Sequence, residues 1–252
     1  HGETLGVTAL GGVDVFRDPF SKVLLECQHI PSPASEGGHE AALARLAEIF
    51  EADSDRIAAL VVEPMVQGAA GMRMYSADFL RGARRLCDQF DIFLVCDEVF
   101  TGYGRTGRMW ASQHAGISPD ILCTAKGFSG GMFPMAATLA TPRIFEGFLG
   151  EASRAFYYGH TFCGNPLGAA VAREVLRVFR DEDIIASAQA KAQRIERAFA
   201  ETVGPGKPGA QPFDAEPLHP CNGIVEPGVL KMKPLHQPHP VGDARIMVQR
   251  WF

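Results

Sequence analysis

Residues 92–126, IFLVCDEVFTGYGRTGRMWASQHAGISPDILCTAK, decide the fold of this chain. They contain two short apolar runs, 92–96 and 121–125, each too short for an ordinary helix and bounded by turn residues. Such runs are typical of buried strands in a parallel sheet. Asp97 follows the first run and Lys126 follows the second. Because ligands of open α/β sheets bind outside the carboxyl ends of the strands, we expect this acid and this amine to face one crevice.

The sequence before residue 204 alternates predicted strands with predicted helices. Further apolar runs predict strands at residues 23–27, 57–62 and 134–141. Apolar residues at helical spacing predict helices at about residues 39–52, 167–180 and 183–203, with another beginning after Ser76. This alternation predicts an α/β domain with a mostly parallel sheet flanked by helices.

The composition of the sequence changes after residue 203. Nine of the 17 prolines fall within residues 204–252, where little apolar periodicity is present. We therefore divide the chain into an α/β segment, 1–203, and a Pro-rich C-terminal segment, 204–252, which we expect to be an irregular tail. His219, His236 and His239 of this segment lack the spacing of metal ligands, so no metal site is predicted.

Composition narrows the classes of partner. The 252 residues are 46% hydrophobic and carry a net charge of −5, which is typical of a soluble globular protein and provides no basic stripe for nucleic acid or an anionic membrane. The longest apolar run, 57–62, is far shorter than the roughly 20 residues of a membrane span. The six cysteines occur singly, without a C-x-x-C pair, which favours a reducing cytoplasm. Small molecules or a second copy of the chain are the expected partners.

Lys126 and Asp97 together predict a cofactor. The loop after Lys126, GFSGGMFP, is rich in small residues, and we expect it to leave a partly desolvated, nucleophilic amine able to form a Schiff base. Pyridoxal phosphate uses such a lysine and also needs an aspartate beside its pyridine nitrogen. Taken singly, Lys126 would be interpreted as a surface lysine and Asp97 as a turn former. Their positions on neighbouring strand ends favour the functional interpretation.

Two other motifs occur in the same region. The acidic strand end at residues 94–98 is similar to that of a nucleotide triphosphatase, but the chain has no G-x-x-x-x-G-K-[ST] loop. Residues 102–107 satisfy the G-x-G-x-x-G pattern of a nicotinamide dehydrogenase, although no clear helix face follows them. The dehydrogenase therefore stays a weaker alternative.

A second loop could bind phosphate. Gly159, His160 and Thr161 offer backbone N–H groups and a hydroxyl shortly before a helix that Asn165 is expected to cap. An ordinary capped helix entry explains the same residues. Neither His114 nor His160 is assigned a role.

Five stretches carry a family resemblance. They are HGETLG at 1–6, VVEPMVQGAAGM at 61–72, LVCDEVFTGYGRTG at 94–107, SPDILCTAKGFSGG at 118–131 and YYGHTFCGNPLGAA at 157–170. Through them the chain resembles the class III aminotransferases, pyridoxal-phosphate-dependent enzymes of fold type I. The resemblance covers residues 1–203 and implies that they are the central part of an incomplete fold type I large domain. It also implies that residues 204–252, if not an irregular tail, are a remnant of the family's small domain.

The resemblance implies a role for each of five residues. Lys126 would hold pyridoxal 5′-phosphate covalently and move a proton between the substrate Cα and the cofactor. Asp97 would pair with the pyridinium, and Val99 would pack on the ring face. Thr161 would contact the phosphate of a cofactor bound mainly to the other subunit of a homodimer. Glu63 would lie near the substrate.

The implied reaction is ping-pong transfer of an amino group from a small-molecule donor to a keto acid. An ω-amino acid or diamine aminotransferase and a catalytically incompetent remnant stay open as alternatives. Position 100 is Phe, where some family members carry Gln. The family's Gly-Ser phosphate loop would precede His1, and its substrate-binding arginine is not recognisable after Val203, so we expect the central part of a larger domain.

Overall fold

The computed structural model describes residues 1–203, 228–231 and 245–247. Its α-helices are α1 (Leu5–Leu10), α2 (Asp14–Arg17), α3 (Gly38–Asp53), α4 (Ala77–Gln89), α5 (Pro142–Glu146), α6 (Pro166–Asp181) and α7 (Ile184–Val203). Its strands are β1 (Cys27–His29), β2 (Ile57–Val62), β3 (Val66–Gln67), β4 (Arg73–Met74), β5 (Phe93–Asp97), β6 (Ile121–Thr124), β7 (Ala137–Ala140), β8 (Gly228–Lys231) and β9 (Arg245–Met247). Short 3₁₀ helices include Ala111–His114 and Lys126–Ser129.

Seven of the strands form one sheet in the order β1-β8-β2-β5-β6-β7-β9. The pairings of β2 with β5 and of β5 with β6 are parallel, and those involving β1, β7, β8 and β9 are antiparallel. The predicted α/β class is confirmed, and its parallel part lies at the centre of the sheet. Strands β3 and β4 form a separate hairpin. The carboxyl ends of β2, β5 and β6 consequently meet at one edge.

Helix α4 illustrates why the helices form where they do. The Ser76 hydroxyl accepts a hydrogen bond of 3.1 Å from the Asp78 N–H, which caps the first turn as predicted. Phe79, Leu80 and Ala83 recur at helical spacing and are completely buried in the main core. The apolar stripe therefore fixes this helix against the sheet.

Helices α3 and α4 cover the same part of the sheet and approach each other closely. A Cβ at Gly82 of α4 would overlap the Leu43 side chain of α3. Leu46 and Phe50 of α3 are completely buried in the same core. The glycine is therefore required by packing, although it lowers helix propensity.

The strand predicted at residues 23–27 is wrong. The strand begins at Cys27 and ends at His29, where it pairs with β8, while residues 21–24 form a turn and bend. Val23 and Leu25 are 62% and 60% exposed. An apolar run becomes a strand only where a neighbouring backbone offers hydrogen bonds, and for this segment that backbone lies beside residues 27–29.

Two parts of the Pro-rich segment 204–252 are described, and both are strands of the main sheet: β8 between β1 and β2, and β9 beside β7. The rest of that segment, including His219, His236 and His239, lies outside the described residues. Within the part of the chain that the structure describes, no helix has the length and apolar composition needed to cross a membrane.

Candidate active site

Asp97 ends strand β5 with its side chain buried at the carboxyl edge of the sheet. The residue is 7% exposed, and its Oδ1 accepts a hydrogen bond of 3.0 Å from the Val99 N–H. Its Oδ2 forms an ion pair with the α-ammonium group of His1. The register of β5 and β6 places Asp97 beside Cys123, three residues before Lys126. The acid and the amine are therefore carried by adjacent strand ends, as predicted.

Lys126 has an unusual backbone. Its φ angle is 44°, in the left-handed region that non-glycine residues rarely adopt. Such strain persists where the surrounding structure holds it, and it clusters at functional sites. The Lys126 amine lies 5.3 Å from the centroid of the Phe100 ring.

The desolvation expected for Lys126 is wrong for this chain, because its side chain is exposed. The loop that follows supplies little to cover it. Gly130 and Gly131 have no side chains, and Met132 is itself 79% exposed. The small residues that indicated a flexible loop are therefore also the reason that the amine meets solvent.

Glu63 directly follows β2, at the same edge of the sheet as Asp97 and Lys126. Its Oε2 accepts a hydrogen bond of 3.1 Å from the Gly68 N–H, and its backbone carbonyl accepts one from the Tyr75 hydroxyl. Burial raises the pKa of the Glu63 carboxyl; the nearby negative charge of Asp97 adds to this, and the Lys126 amine opposes it. The charges of Asp97 and Lys126 therefore both reach Glu63 at this edge of the sheet.

Val99 and Thr161 have different surroundings. Val99 is 9% exposed and its N–H donates to the Asp97 carboxylate, and its packing on the cofactor ring stays a prediction. Thr161 is exposed on the loop before α6 and, among the described residues, shares no hydrogen bond with Asp97 or Lys126. Asn165 caps α6, with its Oδ1 accepting from the Leu167 N–H at 2.9 Å. The phosphate contact of Thr161 stays a prediction.

Sequence reasoning missed the role of Glu98. This residue is completely buried, and its carboxylate accepts hydrogen bonds from the Thr101 hydroxyl at 2.6 Å and from the N–H groups of Ala111 at 3.0 Å and Ser112 at 2.8 Å. The signal was available, since successive residues at a strand end point to opposite faces. Asp97 and Glu98 could not both have faced the crevice.

The same contacts argue against a dinucleotide site at residues 102–107, and so against the dehydrogenase alternative. The loop at residues 102–107 leads into a 3₁₀ helix of only four residues, Ala111–His114. Two N–H groups at the start of that helix, which would face a pyrophosphate in a dinucleotide site, are already bonded to the Glu98 carboxylate. The glycines of the loop instead serve its turns and its close packing, because Gly104 and Gly107 have φ angles of 80° and 89°.

The residues present fit pyridoxal 5′-phosphate. Asp97 is a buried carboxylate whose Oδ1 is fixed by the Val99 N–H, which leaves Oδ2 to pair with a protonated pyridine nitrogen. Lys126 supplies an accessible primary amine on the adjacent strand end. Fold and site together define a pyridoxal-phosphate-dependent transferase of fold type I.

The comparisons with known proteins give the family. Residues 1–203 match the family described as aminotransferase class-III, and the chain belongs to this family. Class III aminotransferases depend on pyridoxal phosphate, which confirms the predicted cofactor.

Three similar proteins illustrate the match. The adenosylmethionine-8-amino-7-oxononanoate aminotransferase of Geobacter sulfurreducens is 42% identical over 198 residues, covering 73% of this chain and 44% of the relative. The crystal structure of the enzyme of the same name from Methanocaldococcus jannaschii has a TM-score of 0.73 and 33% identity, covering 80% of this chain and 46% of that chain. A PLP-bound amine transaminase from an uncultivated Pseudomonas species has a TM-score of 0.71 and 34% identity, covering 78% and 47%. The chain thus spans less than half the length of each.

Proposed function

We propose that this protein, with pyridoxal phosphate bound, transfers an amino group from a small-molecule donor to a keto acid. The observation that carries the proposal is the placement of Lys126 and Asp97 on adjacent strand ends, with Asp97 buried and Lys126 in a strained backbone conformation. The cofactor requires an accessible amine, here Lys126, to which it attaches, and a buried acid, here Asp97, beside its ring nitrogen.

The specific reaction we propose is transfer from adenosylmethionine, or from lysine, to 8-amino-7-oxononanoate, giving 7,8-diaminononanoate in biotin biosynthesis. The names of the relatives from Geobacter sulfurreducens and Methanocaldococcus jannaschii support this assignment. The similarity to an amine transaminase, at 34% identity, supports the alternative of an ω-amino acid or diamine substrate.

Each residue of the crevice has a definite task in this proposal. The bound cofactor supplies an electron-withdrawing ring that stabilises negative charge at the substrate Cα. Lys126 holds the cofactor and moves the proton at that Cα. Asp97 keeps the ring nitrogen positively charged, and Val99 lies against the ring. Glu63 faces the substrate side.

We further propose a homodimer in which Thr161 contacts the phosphate of the cofactor bound mainly to the partner subunit. The segment around Thr161 carries exposed aromatic residues, with Phe156 49%, Tyr157 82% and Phe162 55% exposed. Apolar surface concentrated in this way is typical of an interface between subunits.

We place the protein in the cytoplasm. The five cysteines of the described residues are free thiols, and Cys87 and Cys96 are completely buried. Unpaired cysteines used as small core residues suit a reducing compartment.

The cofactor can be tested directly. Pyridoxal phosphate is titrated into the protein, the sample is reduced with borohydride, and the modified lysine is identified by peptide mass spectrometry. We expect an absorbance band in the near-visible range and modification of Lys126. Lys126→Ala should abolish both, whereas Lys22→Ala, at an exposed lysine remote in sequence, should leave both intact. Absence of a band in the wild-type protein would reject the enzymatic reading in favour of a catalytically incompetent remnant.

A second assay separates the substrates. Formation of the amino form of the cofactor is followed with adenosylmethionine, lysine and simple ω-amines as donors. In a second step, 8-amino-7-oxononanoate is offered as the acceptor. Formation of the amino form with ω-amines, and no reaction of that form with 8-amino-7-oxononanoate, would replace the biotin assignment by the alternative.

A further inference from the structure

We infer that Glu98 is a positioning residue for Lys126: its buried carboxylate fixes residues 101–112 so that Tyr103 packs against Gly127 and holds the strained backbone of Lys126. This inference rests on the proposed function only in the use made of Lys126. The coupling itself is a property of the folded chain and can be measured without cofactor.

The first step is the closure of the loop by the carboxylate. Both oxygens are used: Oε2 accepts from the Thr101 hydroxyl and the Ala111 N–H, and Oε1 accepts from the Ser112 N–H. The Glu98 backbone adds two bonds, since its N–H donates to the Cys123 carbonyl at 2.9 Å and its carbonyl accepts from the Gly102 N–H at 2.9 Å. One residue therefore joins β5, β6 and both ends of the loop.

The second step is the contact between Tyr103 and the end of the loop that Glu98 holds at Ala111. Trp110 directly precedes Ala111, and its ring meets the Tyr103 ring edge to face, with centroids 5.1 Å apart. The fit is tight, because a Cβ at Gly102 would lie 2.7 Å from the Trp110 ring. The Tyr103 N–H donates to the Met109 carbonyl at 2.8 Å, which closes the loop on itself. Fixing Ala111 therefore fixes Tyr103.

The third step is the contact between Tyr103 and the lysine segment. A Cβ at Gly127 would lie 2.7 Å from the Tyr103 side chain, so the residue after Lys126 rests directly on this ring. Phe128 lies with its ring centroid 6.4 Å from that of Tyr103, and Phe179 of α6 lies 5.8 Å away on another side. A backbone with φ of 44° at Lys126 needs such external support.

An amide cannot replace the carboxylate at this position. Three donors converge on Glu98, and a carboxylate offers only acceptors. In Glu98→Gln, one side-chain oxygen becomes an NH₂ donor that faces a backbone N–H or a hydroxyl proton. A buried donor is then left without an acceptor, while the side chain keeps its size and shape.

Hydrogen exchange followed by mass spectrometry tests the coupling in the full chain without cofactor. In Glu98→Gln we expect amide exchange in residues 126–131 to accelerate about tenfold, which corresponds to about 1.4 kcal/mol of lost protection. These residues do not touch the carboxylate. Exchange in α4 should be unchanged, and Glu48→Gln, at an exposed glutamate of α3, should match the wild type everywhere. Acceleration confined to residues 98–115 would overturn the inference, because Glu98 would then stabilise only its own loop.

If Glu98→Gln fails to fold, Thr101→Val serves as the second variant. It removes one donor and leaves both backbone contacts of the carboxylate, so we expect a smaller acceleration in the same segment. No change at residues 126–131 in a folded Thr101→Val protein with accelerated exchange at 98–115 would again overturn the inference.

A cofactor measurement separates this inference from the proposed function. Titration with pyridoxal phosphate and borohydride trapping should show about tenfold weaker covalent attachment in Glu98→Gln, a ratio of the size expected for one lost buried hydrogen bond. If the wild-type protein binds no cofactor, the proposed function fails, while the exchange result still decides the positioning role. If the wild type binds and Glu98→Gln binds equally well, only the positioning role fails.

Discussion

The Asp97 carboxylate and the Val99 backbone N–H are joined by a hydrogen bond of 3.0 Å at the end of β5. This bond occupies Oδ1 and orients the carboxylate, so that Oδ2 is the oxygen left to meet a cation. Because the residue is buried, water screens that interaction poorly. The geometry prepares Asp97 to hold one positive charge in a fixed place.

Replacing Asp97 by Asn should therefore remove a charge without removing the hydrogen bond to Val99. We expect transamination to fall by about a hundredfold or more, the order of effect seen when a preorganised electrostatic partner is lost. Steady-state rates with a saturating amino donor measure this. Asp91→Asn is the matched control, since Asp91 lies on the surface in an exposed pair with Arg143. An Asp97→Asn protein with the wild-type rate would contradict the role of the charge.

Asp120 should be far more important for stability than Asp88, although both pair with Arg84. Asp120 Oδ2 lies 2.7 Å from the Arg84 guanidinium and also accepts from the Leu94 N–H at 2.8 Å, within largely buried surroundings. Asp120→Ala should lower the free energy of unfolding by about 1–3 kcal/mol, because it leaves the Leu94 N–H without its acceptor and leaves the largely buried Arg84 with only the exposed Asp88 carboxylate of this pair.

Asp88 provides the control for that measurement. Its side chain is 65% exposed, and an exposed ion pair contributes at most about 1 kcal/mol. Urea unfolding of both variants gives the comparison. Equal losses for Asp120→Ala and Asp88→Ala would show that burial of the pair has no effect.

Gly127→Ala tests the contact between the lysine segment and Tyr103. The added Cβ would lie 2.7 Å from the Tyr103 side chain, and we expect a loss of about 1–3 kcal/mol in the free energy of unfolding from overpacking. Gly6→Ala in α1, where a Cβ would meet nothing within 4 Å, should be neutral or slightly stabilising. The contact has the wrong geometry if Gly127→Ala is as stable as Gly6→Ala in thermal and urea unfolding.

Glu63 should make stability depend on pH in a specific direction. Burial raises the pKa of its carboxyl in the folded state, so the folded chain binds the proton more readily than the unfolded chain does. The contribution of Glu63 is therefore favourable at low pH and is lost as the pH rises above the usual carboxyl range through the raised pKa.

Glu63→Gln removes this dependence, because the amide is neutral at every pH and its oxygen still accepts from the Gly68 N–H. The difference in unfolding free energy between Glu63→Gln and the wild type should shift in favour of the variant as the pH rises above the usual carboxyl range through the raised pKa of Glu63. Urea titrations at several pH values measure the difference. Glu48→Gln, at an exposed glutamate of α3, is the matched control.

Local sequence was enough to place the centre of the fold. The runs that became β2, β5 and β6 are short, apolar and bounded by turn residues, and the structure places strands at those positions. The same holds for α4, whose cap and apolar stripe are both encoded within a few residues. Because the position of a strand in the sequence also fixes where it ends, the sequence alone predicted that Asp97 and Lys126 lie on adjacent strand ends.

The sequence could not decide features that depend on partners distant along the chain. Strand β1 lies at Cys27–His29 because β8, about two hundred residues later in the chain, pairs with it there. No local sequence pattern predicts that pairing. The exposure of Lys126 likewise depends on whether any segment packs over it, and the small residues of the loop that follows do not cover it.

Glu98 illustrates the division most clearly. Its sequence context identified an acidic strand end and nothing more, whereas the tertiary structure brings three donors from residues 101, 111 and 112 onto one buried carboxylate. Sequence by itself determined the central strands and the acid and amine at their ends, because chain periodicity and turn chemistry are local. Only the tertiary structure decided which side chains are buried and which donors meet them, because burial and hydrogen bonding are set by segments that folding brings together.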